Sequence, residues 1–291
     1  MAQRLKRMPS IIGKLKRFPE MQLSRMQDIG GCRVVVEKKS DMDILQKAPQ
    51  SKKSILKKTY DYINNPKNSG YRGIHLIYQI ENSREPGIRL IEVQLRTYVQ
   101  HSWATAVEIC GTFLNQQLKA EQGDNKWLYF FKLVSFLLAD SENQLPSKIS
   151  RLDLDNIRHE VVNLEKQLNV VTKLRSFSAS IYMLGQITDE DLPLRKDVKE
   201  RLKGFTKNDY ILLEQTVTSM TNTKINITPY KKGESRKANQ HYLDLEFENR
   251  NNPNIDVVLI KVGDMNSLKL SYPNYFADST FFCQILQNLI D

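Results

Sequence analysis

Alternating apolar and polar positions mark two neighbouring strands in the first third of the chain. A polar loop punctuated by glycine, Asn64 to Gly73, precedes a predicted strand from Ile74 to Ile80. A second predicted strand runs from Leu90 to Arg96. A helix with an apolar stripe at spacings of three and four residues is predicted to begin near Tyr98. The pattern therefore predicts two strands that lead into a helix.

The second of these strands has one chemically unusual face. Side chains alternate along a strand with a period of two residues, so Glu92, Gln94 and Arg96 share one face. A carboxylate, an amide and a guanidinium side by side are compatible with an ordinary solvated sheet surface or with a functional site. The sequence pattern alone leaves both interpretations open.

Further elements follow the same logic on either side of this stretch. Val34 to Val36 is predicted as a buried strand, with Gly30 and Gly31 as a close backbone approach at its entrance. The lysine-rich stretch from Asp41 to Lys58 is predicted to form one or two short helices. Ser10, just before an apolar-periodic run, is predicted to cap a helix N-terminus.

The second half of the chain changes character after Asp140. The sequence predicts a charged helical stretch from Arg151 to Leu184 and a polar connection from Asp189 to Arg201. Clean alternation predicts a strand from Tyr242 to Glu248, and a buried strand is predicted from Val257 to Val262, before a last helix. This half is predicted to be a second, smaller α+β unit.

Charge is concentrated at the start of the chain. The formal net charge is +10, and residues 1–67 carry 16 Lys and Arg against 6 Asp and Glu, whereas the remainder has 27 of each kind. A localised basic excess favours a polyanionic partner such as nucleotide phosphates or RNA.

Cysteine use and hydropathy exclude two classes of protein. The three cysteines, Cys32, Cys110 and Cys283, are far apart and form no CxxC pair, which fits a reducing cytoplasm better than a disulfide scaffold. The most apolar run, Trp127 to Ala139, is only 13 residues long and is interrupted by Lys132. It is predicted to be a buried helix, and a membrane protein is not expected.

Three ordered motifs resemble the synthetase domain of the RelA/SpoT family. They are RMQDIGGCR (Arg25 to Arg33), GYRGIH (Gly70 to His75) and EVQLRT (Glu92 to Thr97), and the resemblance covers Arg4 to Glu142. It implies a nucleotidyltransferase-like α/β (α+β) fold, a mixed β-sheet flanked by helices. We therefore expect a synthetase domain in residues 1–145, and a helical linker with a C-terminal α+β accessory domain in residues 146–291.

The resemblance implies pyrophosphate transfer from ATP to the 3′ hydroxyl of a nucleotide, with Mg²⁺ as cofactor. Asp28 and Glu92 would hold the magnesium and act as the catalytic carboxylates, and Glu92 would also take the hydroxyl proton. The implied ATP-binding residues, of which the first would stack on adenine, are Arg4, Lys6, Ser10, Lys14, Arg17, Arg25 and Arg33.

The implied acceptor site lies in the two central motifs. Its tyrosine would stack on the acceptor base, and its residues are Lys67, Tyr71, His75, Gln94 and Arg96. A family position that is usually basic is Tyr60 in this chain. Alarmone hydrolysis is not expected, because none of the four histidines is followed by the aspartate of the family's hydrolase motif.

Three functions remain open at this level. The first choice is a free guanine nucleotide as acceptor, which would make the protein a small alarmone synthetase that produces (p)ppGpp; the other two are alternatives. The 3′ end of tRNA as acceptor would make it a translation-inhibiting toxin, with an antitoxin as a possible partner; the basic N-terminal quarter and Tyr60 favour this alternative. A non-catalytic nucleotide-binding module, regulated through the C-terminal unit, is the third, and homo-oligomerisation is open in each case.

Overall fold

The computed structural model describes residues 2–5, 8–47, 54–81, 88–114, 116–146, 149–176, 209–219, 222–250, 252, 255–261 and 279–290. Within these ranges the strands are β1 (Ala2–Leu5), β2 (Gly30–Val36), β3 (Ser54–Asp61), β4 (Ile74–Glu81), β5 (Ile88–Thr97), β6 (Tyr210–Ser219), β7 (Asn222–Tyr230) and β8 (Ile255–Lys261). The α-helices with defined bounds are α1 (Met8–Arg17), α2 (Lys39–Gln46), α3 (Tyr98–Phe113), α4 (Asn125–Ser141), α5 (Arg151–Leu168), α6 (Ser235–Glu248) and α7 (Thr280–Ile290).

A mixed five-stranded sheet organises the N-terminal half of the described residues. Its strand order is β1-β2-β5-β4-β3, with β2 and β5 parallel and the other neighbours antiparallel. One face of the sheet buries an apolar cluster that includes Ile74, Leu76 and Leu95, and Met42 of α2 packs into it. The opposite face is therefore left for polar side chains.

Helix α3 follows β5 directly because Thr97 ends the strand and caps the helix. The Thr97 hydroxyl accepts a hydrogen bond from the backbone N–H of Gln100, and the Gln100 side chain accepts one from the Thr97 backbone. This reciprocal pair satisfies donors that the first helical turn leaves free. The polar face of β5 is thereby joined rigidly to α3.

The helical core extends beyond the N-terminal half of the chain. Buried residues of α3 and α4, among them Trp103 and Phe131, share one apolar cluster with Leu164 of α5 and Phe282 of α7. The predicted division between residues 145 and 146 stays a prediction, and this core continues across it.

A second, smaller unit follows, with strand order β7-β6-β8 and antiparallel pairing throughout. Helix α6 packs on it through Tyr242 beside Leu212 and Val257. The predicted fold class, a mixed sheet flanked by helices with a second small α+β unit, is confirmed. None of the helices in the described ranges is both long and apolar enough to span a bilayer; the cytoplasmic location stays a prediction.

Three local predictions are wrong. Residues 54–58 lie in β3, an edge strand, and not in a helix. The stretch from Tyr242 to Glu248 is the end of α6 and not a strand, because Ala238, Tyr242 and Glu246 repeat every four residues on the buried side. Ser10 lies inside α1, which begins at Met8, so it is not the residue before the helix.

Most other predicted elements are confirmed, namely the strands at β2, β4, β5 and β8 and the helices at α3, α4 and α7. Gly31 is a close approach as predicted, since a Cβ there would lie 2.6 Å from the carbonyl oxygen of Glu92. The helical stretch predicted from Arg151 is present as α5 and residues 170–176. Its end, residues 177–184, and the connection Asp189 to Arg201 lie outside the described residues.

Candidate active site

A row of polar side chains crosses four strands of the large sheet. The register pairs Arg33 of β2 with Gln94 of β5, Gln94 with His75 of β4, and His75 with Tyr60 of β3. Directly paired residues point to the same face of a sheet, so these four side chains lie on the face opposite the Met42 cluster. Glu92, two residues before Gln94, shares that face.

Both carboxylate oxygens of Glu92 accept hydrogen bonds. His75 Nδ1 lies 2.8 Å from Oε1, and Gln94 Nε2 donates to Oε2 over 2.7 Å. Burial raises the pKa of Glu92, but the hydrogen bonds from His75 and Gln94 outweigh it, so the net pKa lies below the usual value. Glu92 is therefore a carboxylate with a fixed orientation at neutral pH.

His75 is buried and bonded through both ring nitrogens. Its Nε2 lies 2.6 Å from the hydroxyl of Tyr71, while Nδ1 faces Glu92. Burial lowers the pKa of His75, and the nearby cations Arg96 and Lys67 act in the same direction against the attraction of Glu92. A neutral imidazole still donates its Nδ1–H, so the bond to Glu92 does not require a charged ring.

Arg96 lies beneath this pair and is only 2% exposed. Its Nε donates to the Tyr71 hydroxyl over 3.2 Å, and a terminal nitrogen donates to Gln94 Oε1, also over 3.2 Å. The guanidinium carbon sits 5.0 Å from the centre of the Tyr71 ring. Arg33 reaches the same Gln94 oxygen from β2 over 3.5 Å.

The second predicted catalytic carboxylate, Asp28, lies two residues before β2. Lys14 of α1 donates from Nζ to Asp28 Oδ1 over 3.0 Å. Asp28 is close enough to Glu92 for its charge to raise the pKa of that carboxyl. The structure thus brings one predicted ATP-binding lysine and both predicted carboxylates to the same side of the sheet.

An aromatic wall borders the site. The Lys67 ammonium lies 4.6 Å from the ring centre of Tyr62 and 5.2 Å from that of Tyr71. Tyr62 meets the His75 ring edge-on, and it stacks nearly parallel on Tyr60 with centroids 5.9 Å apart. Burial lowers the pKa of Lys67, with partial compensation from Glu92.

Tyr62 was missed by the sequence reasoning. It follows the edge strand β3 immediately, and no strand was predicted there that would have placed it beside Tyr60. The signal that could have found it is the aromatic pair Tyr60 and Tyr62 with the same spacing as residues on one face of a strand.

The remaining predicted ATP-binding residues are placed less completely. Arg17 is exposed, and its Nε donates to the carbonyl of Gly13 within α1, so it does not join Lys14 at Asp28. Lys6 lies outside the described residues, and the structure describes the backbone but not the side chains of Arg4, Ser10 and Arg25. The backbone of Arg4 pairs with Gly31 at the start of β2. All of these assignments stay predictions.

The donor types at this face fit a magnesium ion. Mg²⁺ prefers oxygen ligands and is usually held in nucleotide sites by one or two carboxylates together with substrate phosphates. Asp28 and Glu92 supply the carboxylates, and Glu92 is ionised at neutral pH. The role of the two residues as metal ligands stays a prediction.

Comparison with known proteins places this site in a family region. Residues 3–110 match the model of a region found in RelA / SpoT proteins. GTP pyrophosphokinase YjbM of Bacillus subtilis (strain 168) is 33% identical over 107 residues, which are 35% of this chain and 51% of the relative. GTP pyrophosphokinase YwaC of the same organism is 31% identical over 111 residues, or 35% and 52%.

The solved structure of small alarmone synthetase 1 from Bacillus subtilis, bound to its product pppGpp, is 24% identical, with a TM-score of 0.42. That match covers 55% of this chain and 77% of the other. The chain spans about half the length of the two curated relatives. The matched residues, 3–110, hold the polar row, Asp28 and Lys14, so the candidate site lies within the part of the chain that is similar to RelA / SpoT proteins.

Proposed function

We propose that this protein transfers a pyrophosphate group from ATP to the 3′ hydroxyl of GDP or GTP, giving (p)ppGpp. The proposal is supported by the RelA/SpoT region and by two relatives named GTP pyrophosphokinase. The observation that carries it is the geometry of Glu92, an ionised carboxylate held by His75 and Gln94 on the same face as Asp28. We propose no alarmone hydrolase activity.

Glu92 acts as the general base in this proposal. Its carboxylate takes the proton of the acceptor's 3′ hydroxyl, directly or through one water, as the oxygen attacks the β phosphorus of ATP and AMP leaves. Two donors already orient Glu92, so little reorganisation is needed when the acceptor arrives.

Lys14 and Arg33 bind the phosphates of ATP. Lys14 donates a hydrogen bond to Asp28, and Arg33 donates one to Gln94 in the polar row. Asp28 and Glu92 would hold Mg²⁺, which would neutralise charge on the phosphate oxygens. Phosphoryl transfers of this kind gain most of their rate from positioning and electrostatics, and these residues supply both.

The acceptor base stacks at the aromatic wall. Tyr71 offers a ring whose hydroxyl is fixed by Arg96 and His75, and Lys67 lies where the acceptor's phosphates would be neutralised. A stacking platform is worth about 1–3 kcal/mol per base in known nucleotide-binding proteins.

Radiolabelled ATP tests the proposal directly. The protein is incubated with Mg²⁺, γ-³²P-ATP and, separately, GDP, GTP, ATP or total tRNA. Label on GDP or GTP that is lost in Asp28→Ala and Glu92→Ala supports the proposal. Glu81→Ala, at the exposed end of β4, is the matched control and is expected to keep full activity.

A second candidate acceptor, the 3′ end of tRNA, is favoured by one specific feature. Lys58, Tyr60, Tyr62 and Lys67 form a continuous stack in which each lysine lies over the outer tyrosine ring nearest to it. Stacked aromatic rings flanked by cations suit the bases and phosphates of several consecutive nucleotides of a single strand.

Salt concentration distinguishes the two acceptors. For a polyanion, the logarithm of the binding constant falls steeply and linearly with the logarithm of the salt concentration, because counterions are released on binding. For a single nucleotide, with few phosphates, the slope is shallow. Label on tRNA alone, with a steep slope, would replace the first candidate by the second. Binding of Mg²⁺-ATP without label on any acceptor would leave a non-catalytic nucleotide-binding module.

A further inference from the structure

The polar side chains of the site form a closed ring of hydrogen bonds that begins and ends at Arg96. One arm runs from Arg96 Nε to the Tyr71 hydroxyl (3.2 Å), on to His75 Nε2 (2.6 Å), and from His75 Nδ1 to Glu92 Oε1 (2.8 Å). The other arm runs from the Arg96 terminal nitrogen to Gln94 Oε1 (3.2 Å), and from Gln94 Nε2 to Glu92 Oε2 (2.7 Å). Both arms therefore start on one guanidinium and end on the two oxygens of one carboxylate.

Arg96 and Glu92 together fix the direction of every bond in the ring. A guanidinium only donates, so the Tyr71 oxygen accepts from Arg96. The Glu92 carboxylate only accepts, so His75 carries its proton on Nδ1. Nε2 of the neutral ring is then an acceptor, and Tyr71 donates its own proton to it. On the other side, Arg96 turns the oxygen of the Gln94 amide towards itself, which leaves the NH₂ group facing Glu92.

The members of the ring differ in their exposure to solvent. Arg96 is 2% exposed and His75 8%, whereas the Glu92 side chain retains 15% exposure. Two of the three guanidinium nitrogens of Arg96 donate hydrogen bonds to other members of the ring of hydrogen bonds. The guanidinium carbon lies 5.0 Å from the centre of the Tyr71 aromatic ring. The resemblance implied that Arg96 binds the acceptor, and that role stays a prediction; in the structure its nitrogens donate to Tyr71 and Gln94.

The geometry points to Arg96 as a positioning residue that orients both oxygens of Glu92 through the Tyr71–His75 arm and the Gln94 arm. This inference rests on the proposed role of Glu92 as general base. Arg96 touches neither Glu92 nor, in this role, the substrates. Displacement of a general base by about 1 Å can lower the rate about 100-fold. Loss of Arg96, which anchors both arms, is therefore expected to lower the rate although Arg96 does not contact the substrates.

Arg96→Lys is the principal variant, because a lysine keeps the charge and has a single nitrogen that cannot serve both arms. We expect kcat to fall about 10- to 100-fold while KM for ATP and for the acceptor stays within about threefold of the wild type. A residue that binds acceptor phosphates would instead raise the acceptor KM at unchanged kcat, and that result would overturn the inference. Arg89→Lys, an exposed position near the start of β5, is the matched control.

The two arms are then cut one at a time. Tyr71→Phe keeps the stacking ring and removes the first arm, and Gln94→Met removes the second at similar volume. Each change is expected to lower kcat in the wild-type background and to have a smaller further effect in the Arg96→Lys background, because the arm has already lost its anchor. Fully additive effects would count against the ring. Should Arg96→Lys not fold, the kcat and KM effects of these two variants decide the question.

A measurement without turnover separates this inference from the proposed function. The ¹⁵N NMR signals of the His75 ring, assigned by their loss in His75→Gln, report which nitrogen carries the proton in the free protein. We expect a proton on Nδ1 in the wild type and altered signals at Nε2 in Arg96→Lys. Unchanged signals would refute the ring, whether or not any acceptor is labelled. Altered signals in a protein that labels no acceptor would keep the ring and remove the proposed function.

Discussion

Lys14 donates from Nζ to Asp28 Oδ1 over 3.0 Å, so a residue predicted to bind ATP phosphates is paired with one predicted to hold magnesium. The two side chains retain 24% and 19% exposure. Helix α1 is thereby tied to the entrance of β2 at the edge of the polar row.

Removal of the lysine charge is expected to weaken Mg²⁺-ATP binding without unfolding the protein. A partly exposed ion pair contributes about 1 kcal/mol or less, so Lys14→Met is expected to change the free energy of unfolding by no more than that. The dissociation constant for Mg²⁺-ATP is expected to rise about tenfold or more, as measured by calorimetry, since a charge-assisted bond to phosphate is lost. Lys16→Met, at an exposed position of the same helix, is the control, and equal effects of both variants on ATP binding would contradict the prediction.

Two glycines are expected to respond to alanine in opposite directions. Gly70 has φ +89°, and a Cβ there would lie 2.9 Å from Ser135 Cβ and 3.0 Å from the Lys132 Cα. Gly70→Ala is therefore expected to destabilise the protein by about 1–3 kcal/mol, because both the backbone and its neighbours are strained. Gly13 lies within α1, and outside that helix's own backbone a Cβ there would meet no atom of the described residues within 4 Å, so Gly13→Ala is expected to stabilise by about 0.5–1 kcal/mol. Urea unfolding of both variants checks the two signs.

Stability is expected to fall when the solution is made mildly acidic, because of His75. Burial lowers its pKa in the folded protein, so between the folded value and the unfolded value of about 6.5 the unfolded chain binds more protons. The free energy of unfolding therefore rises with pH in that window, by at most about 1.4 kcal/mol per pH unit for one proton. His75→Gln, which cannot titrate, is expected to flatten the dependence between about pH 5.5 and 7.5. Parallel curves for the two proteins would show that another group is responsible.

The sequence predicts the centre of the site well because local pattern and tertiary structure agree there. Alternation placed Glu92, Gln94 and Arg96 on one face of β5, and the apolar stripe placed the start of α3 near Tyr98, where the helix begins. The ring of hydrogen bonds could not be predicted, because it depends on the register of β4 against β5 and on where the loop returns Tyr71. The hydrophobic pattern fixes which side chains share a face, but which residues pair across the two strands also depends on the geometry of the connecting loop.

The errors have equally physical causes. β3 has lysines at consecutive exposed positions, and such residues are typical of edge strands but resemble a solvated helix face in sequence. At the end of α6, apolar and polar residues alternate over seven positions, which is typical of a strand. The buried positions in fact repeat every four residues, and this repeat is recognisable only when Ala238 is included. Pro9 suits the first turn of a helix, so α1 begins before Ser10 and not after it.

The buried ion pair between Arg72 and Glu142 is expected to be the most sensitive contact beneath the site. Arg72 follows Tyr71 in the loop between β3 and β4, its side chain is 3% exposed, and its NH1 atom has no hydrogen-bond partner among the described residues. Glu142, at the end of α4, also accepts from the hydroxyl of Thr97, and so joins the loop, β5 and α4.

Glu142→Ala leaves the Arg72 charge buried without its partner, and we expect a loss of about 3–5 kcal/mol in the free energy of unfolding. Replacement of both residues, Arg72→Met with Glu142→Leu, is expected to be much less costly, because an apolar pair of similar volume needs no solvation. Urea unfolding of the single and double variants measures the coupling between the two side chains. Additive losses would mean that the pair does not hold the loop between β3 and β4 against α4.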